Sequence, residues 1–152
     1  MVFWGVEMVD IILEKNNSDI FDRENIIGPS TITILGTVRI VASKDADHEY
    51  HFLVMTVKHR EKFTELTPEE LSDMQKAERI IERFYKKHGI NGYSKIELVG
   101  EEAGRTVAHY HVHFIPLKSD LFHNNPKDRG IHRDQEQMNK IVKELIVEFK
   151  SI

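Results

Sequence analysis

From His109 to Pro116 the chain reads His-Tyr-His-Val-His-Phe-Ile-Pro, and this stretch limits the fold more than any other. His109, His111 and His113 alternate with Tyr110, Val112 and Phe114. Alternation with period two marks a half-buried β-strand, so the three imidazoles share one face and the apolar residues fill the other toward a core. Pro116 ends the pairing because it has no N–H for the ladder.

Distance restricts what such a row of histidines can do. Same-face neighbours lie about 6.6 Å apart, so His109 and His113 are separated by roughly 13 Å of strand. One metal with bonds of about 2 Å cannot be reached by all three without bending the strand, although two of them could contribute to a zinc site completed from elsewhere. The other chemistry open to the row is nucleophilic catalysis by the central ring, with its neighbours orienting it and holding an anionic substrate. Upstream, Gly100 and Gly104 permit positive φ and close approach to a ligand, and Thr106 with the local N–H groups could donate to phosphate oxygens. A phosphate-cradling loop running into a row of histidines suggests phosphoryl or nucleotidyl transfer. The plain alternative is a glycine-containing hairpin before an incidentally histidine-rich strand.

The 152 residues suit a single domain, and the net charge of −4 argues against general electrostatic binding to nucleic acid. The local basic cluster Lys58-His59-Arg60-Glu61-Lys62 reads as a solvated loop. With no cysteine, disulfides and thiolate zinc sites are excluded. Glu7 and Asp10 interrupt the apolar N-terminus and no basic segment precedes it, so a signal peptide is not expected. Trp4, Met8, Ile11 and Ile12 fall on one face at helical spacing, which predicts a short amphipathic helix in an extension over 1–18, ahead of one domain over 19–152. Nothing approaches transmembrane length, no membrane association is expected, and the default location is cytoplasmic.

Three strands are expected between Thr31 and Lys58. Thr31–Leu35 and Val38–Ala42 flank the hairpin signal Gly36-Thr37, and His51–Val57 follows the polar turn 44–49. Thr67, Pro68 and Glu70 form a helix start with a capping box, and Leu71, Met74, Ala77, Ile81, Phe84 and Tyr85 make the buried stripe. A strand over Ser94–Val99 and the histidine strand complete a five-stranded antiparallel sheet in an α+β fold. Residues 117–132 read as a mobile loop near the substrate, and Arg133–Lys150 as a last helix.

The pattern His-x-His-x-His followed by two apolar residues, x being apolar, together with Glu102-Ala-Gly104-Arg-Thr-Val and Pro116, resembles the histidine triad (HIT) superfamily. It is most similar to the branch of fragile-histidine-triad dinucleoside polyphosphate hydrolases, from about Phe21 to Lys118. The resemblance implies cleavage at the α-phosphate of a nucleotide conjugate through a nucleotidyl-histidine intermediate on His111. It assigns supporting catalytic roles to His109, His113, His51 and Thr106. Phe21, Val41 and Leu53 would line the base pocket, and Ser43 stands where an asparagine usually contacts the ribose. Gly104, Arg105, Thr106, Val107 and His113 would hold the phosphate. A homodimer through the central helix is implied, with no metal site and no built-in cofactor, though a divalent cation could accompany the phosphate substrate. Leu98 and Arg105 replace two glutamines common in the branch, which leaves base and leaving group open. His48, His59, His88, His123 and His132 have no assigned role and are read as solvated. A nucleotide-sensing or scaffolding module that binds without turnover is the alternative from another class. A metalloenzyme using two triad histidines and His51 is a third reading. DNA-end repair of the aprataxin type is less expected, without an appended zinc finger or basic domain.

Overall fold

The computed structural model describes residues 2–3, 6–7, 30–105, 109–117 and 122–152. Val2–Phe3 (β1) and Val6–Glu7 (β2) pair antiparallel. The helix expected near the N-terminus is thus corrected over these residues. β-Branched and aromatic residues around the Trp4-Gly5 dipeptide favour extended pairing over a helical turn. The remainder of that expected helix lies outside the described residues.

Thr31–Leu35 (β3) and Val38–Ala42 (β4) form the expected hairpin, with Leu35 opposite Val38 across Gly36-Thr37. Gly36 has φ 58°, and a Cβ there would lie 2.6 Å from Asp73 Oδ2. Only glycine allows that approach. The same carboxylate oxygen accepts the Thr37 N–H at 2.9 Å and its hydroxyl at 2.7 Å, clamping the hairpin tip to the helix Pro68–Lys87 (α1). That helix starts as its sequence predicts, with Thr67 and Glu70 exchanging side chain and backbone bonds at 3.1 and 2.8 Å.

Within the expected polar turn, Asp45–Ala46 (β5) is extended. Phe52–Thr56 (β6), Tyr93–Ile96 (β7) and His111–Pro116 (β8) complete an antiparallel sheet of order β3-β4-β6-β8-β7. Ile131–His132 (β9) pairs with β5, and Gln135–Lys150 (α2) closes the fold behind the N-cap Asp134. The connection 117–132, read as a mobile loop, is anchored in its described part by β9 and by a short 3₁₀ turn over Pro126–Asp128.

Both helices cover one face of the sheet. There Val38, Ile40, Phe52, Val54, Val112 and Phe114 pack against Ala77, Ile81, Phe84 and Tyr85 of α1 and Met138, Val142, Leu145 and Phe149 of α2. Each buried Val, Leu, Ile, Phe or Met side chain among them stabilises the fold by about 1.5–3 kcal/mol relative to exposure. Side chains directly opposite each other in an antiparallel ladder share a face, so the register fixes what lies on the uncovered side. One row is Val41, Leu53 and His113; the next is Arg39, Met55 and His111.

Candidate functional site

The histidine strand is shorter than its alternation suggests. It begins at His111, because the Tyr110 N–H turns to the Arg60 carbonyl instead of joining the ladder. His109 therefore sits just before the strand, fully buried, with its Nε2 2.7 Å from the Thr56 carbonyl at the end of β6. A carbonyl can only accept, so that nitrogen carries the proton. His111 Nδ1 lies 2.7 Å from the His109 carbonyl. By the same reasoning His111 is protonated on Nδ1 and holds its lone pair on Nε2.

His51 extends this chain of tautomers. Its Nδ1 accepts the Asp47 N–H at 3.1 Å, which puts its proton on Nε2. That proton is donated to His113 Nδ1 at 2.9 Å, leaving His113 protonated on Nε2. The His111 and His113 rings stand edge to face at 5.1 Å. A lone pair and an N–H donor, on adjacent rings of one face, form a unit suited to attack on phosphorus and to stabilising the charge that develops. With both nitrogens of His51 engaged, that ring is a support for His113 and not a metal ligand in this arrangement.

Burial keeps these rings neutral. Desolvation, opposed by the His109 carbonyl and assisted by His109, Arg105 and Arg129, lowers His111 to about 4. His51 falls to about 3 through desolvation first and then Arg129, Arg133 and His48. Desolvation, followed by His111, His51 and Arg129, holds His113 well below its ordinary value.

A HIT domain family model matches residues 30–120, which contain His51, His109, His111 and His113. The chain belongs to the HIT domain family. Among similar proteins, an uncharacterized HIT-like protein of Methanocaldococcus jannaschii is 38% identical over 66 residues, covering 43% of this chain and 51% of that protein. The asymmetrical bis(5'-nucleosyl)-tetraphosphatase of Schizosaccharomyces pombe is 35% identical over 80 residues, covering 49% of this chain and 42% of the enzyme. The matches thus span about half the length of these relatives. In fold, the chain is similar to the Plasmodium falciparum diadenosine triphosphate hydrolase solved with cyclomarin A, at TM-score 0.67 and 20% identity over 81% of this chain and 78% of that one.

Other positions singled out in the sequence take varied places around the HIT histidines. Val41 and Leu53 are buried beside His113 and form a small apolar patch with Met55, which the sequence reading missed. Ser43 is buried and donates its hydroxyl to the Asp45 carbonyl at 2.7 Å, so its oxygen is left to accept. Gly104, at φ 92°, lies so close to Asn124 that a Cβ would meet its Nδ2 at 2.8 Å. Arg105 is tied to Glu61, its Nη1 donating to the carbonyl at 2.8 Å. Leu98 is half-buried beyond the end of β7. Phe21, Thr106 and Val107 lie outside the described residues.

Several of the histidines expected to be solvated have partners. His123 lies 2.6 Å from Asp47, His132 lies 2.9 Å from Asp45, and His88 contacts Glu148. The first two fasten the connection after β8 onto the strip before β6. Phe122 stands edge to face on His113 at 4.9 Å, and the Arg129 guanidinium lies 5.3 Å from the Phe122 ring centroid. Arg129 is 7% exposed and donates to the carbonyls of His123 and Asp45. The sequence offered one signal for this wall: the acidic pair Asp45 and Asp47 in one loop, and the cationic Arg129 with His123 and His132 in another.

Proposed function

We propose that this HIT protein is a nucleotide-binding hydrolase or transferase, acting at the α-phosphate of a nucleotide conjugate such as a dinucleoside polyphosphate. The observation that carries the reading is the bond from His111 Nδ1 to the His109 carbonyl, which holds the lone pair on Nε2 of a neutral ring. His111 Nε2 attacks the α-phosphorus, the leaving group departs with the bridging oxygen, and water or another acceptor resolves the nucleotidyl-histidine. His113, aligned by His51, donates its Nε2–H toward phosphate oxygen. His109 fixes the loop carbonyl that orients His111. Val41, Leu53 and Met55 offer an apolar floor for a base, to which Phe21 would add, and Thr106 and Val107 with Gly104 would hold the phosphate. No built-in cofactor enters this scheme.

The similarity to the S. pombe tetraphosphatase supports a dinucleoside polyphosphate as substrate. A homodimer is part of the proposal: β7 is an edge strand, and a groove of about 600 Å³ beside it is lined by the exposed Phe63 and Leu71 together with Met74 and Tyr110. The proposed setting is the cytoplasm.

The test is acid-quenched intact mass spectrometry of wild type and His111→Ala after mixing with diadenosine polyphosphates and nucleoside phosphoramidates. A nucleotidyl adduct on the wild type, and turnover at least roughly a thousandfold lower in the folded variant, is the expected result. Clear nucleotide binding with neither adduct nor product would instead make the chain a nucleotide-sensing module.

A further inference from the structure

Two loops come together over the strand that carries His111. They touch where Gly104 approaches Asn124, and Arg105 follows that contact directly. The Arg105 side chain is only 10% exposed. Its outer end is held by Glu61, through the carbonyl at 2.8 Å and the carboxylate at 3.5 Å. Its Nε is buried and has no hydrogen-bond partner among the described residues. A guanidinium serving only as a surface clasp would leave Nε to water. A buried N–H without an acceptor costs stability, and it suits an anion that arrives with the substrate.

The surroundings of His111 share this character. The positive charges of Arg105 and Arg129 both bear on its ring. Arg39 is buried on the same sheet face and in the same cross-strand row, opposite Met55, which is opposite His111. Cations gathered about a neutral nucleophile do little for a leaving group that departs uncharged. They stabilise one that departs with the negative charge of several phosphates.

We propose that Arg105 is a specificity-determining residue for the leaving group, selecting nucleotides joined to a polyphosphate over those joined to an amine. The inference rests on the hydrolase reading above. In the step it governs, the His111 Nε2 lone pair forms a P–N bond as the bond between the α-phosphorus and the bridging oxygen breaks. The electron pair stays on that oxygen, and the nucleoside polyphosphate leaves as an anion beside Arg105. Water then attacks the α-phosphorus, the P–N pair returns to His111, and one proton is released.

The experiment compares kcat/KM for diadenosine tetraphosphate and for adenosine 5′-phosphoramidate, whose leaving group is neutral ammonia, in wild type, R105Q, R105K and E61Q. R105Q should lower the ratio of the two constants by roughly tenfold to a hundredfold, the range for losing a charged hydrogen bond. R105K should keep most of the ratio, and E61Q should leave it near the wild-type value. Equal losses on both substrates, or E61Q reproducing R105Q, would make Arg105 a structural clasp and overturn the proposal while leaving the hydrolase reading intact. Absence of His111-dependent turnover of either substrate would overturn both.

Discussion

At the scale of single residues, the neutral state of the histidines has a measurable consequence. In the proposed reaction His111 attacks through a lone pair, which protonation removes, and its pKa lies at about 4 instead of 6.5. The rate constant kcat/KM should stay level as pH falls through 6.5 and drop only as pH nears 4. An acid limb centred near 6.5 would contradict the buried geometry. Stability has the same sign: the unfolded chain binds protons on these rings below about 6.5 while the folded chain resists until about 4 for His111 and about 3 for His51. Folding stability should thus be highest above pH 6.5 and decline toward pH 4, which thermal melts across that range would record. Much of this residue-level design was legible beforehand. The spacing of His109, His111 and His113 identified the strand that carries the candidate site, but not that His109 stands outside its ladder, since that depends on where the Tyr110 N–H finds an acceptor.

At the scale of elements, local signals were read well and remote ones were not. The Gly36-Thr37 hairpin and the capping box at Thr67 are contained within a few residues, and both formed as expected. The wall made by Phe122 and Arg129 depends on loops far apart in the chain, joined through Asp45 and Asp47. No periodicity marks such a meeting. The clamp between hairpin and helix offers an element-level test, because Asp73→Ala would leave the Thr37 N–H and hydroxyl without their acceptor. It should destabilise the protein by about 1–3 kcal/mol in denaturant titrations and leave kinetic constants unchanged. A change in turnover without a change in stability would show that the clamp governs the site, which lies on the other side of the sheet.

For the whole molecule, the two faces of the sheet divide the labour. The helices stabilise one, and the histidines occupy the other with the small patch of Val41, Leu53 and Met55. β7 forms one edge of the sheet, beside the groove of the proposed dimer. If a second copy covers it, sedimentation should give twice the chain mass, and Leu71→Glu in the groove should shift the population to the single chain. A wild type that sediments as one chain at micromolar concentration would remove the dimer from the proposal.

Strand order adds a consequence for how the protein comes into being. In the sheet β8 lies between β6 and β7, yet β7 precedes it in the chain. As the ribosome extends the polypeptide, β7 emerges with no described strand to pair with until the histidine segment has been made and has slid into the gap. Completion of the sheet and arming of the proposed nucleophile are then one event, so a nascent chain passes through no stage at which this sheet is finished and still lacks its chemistry.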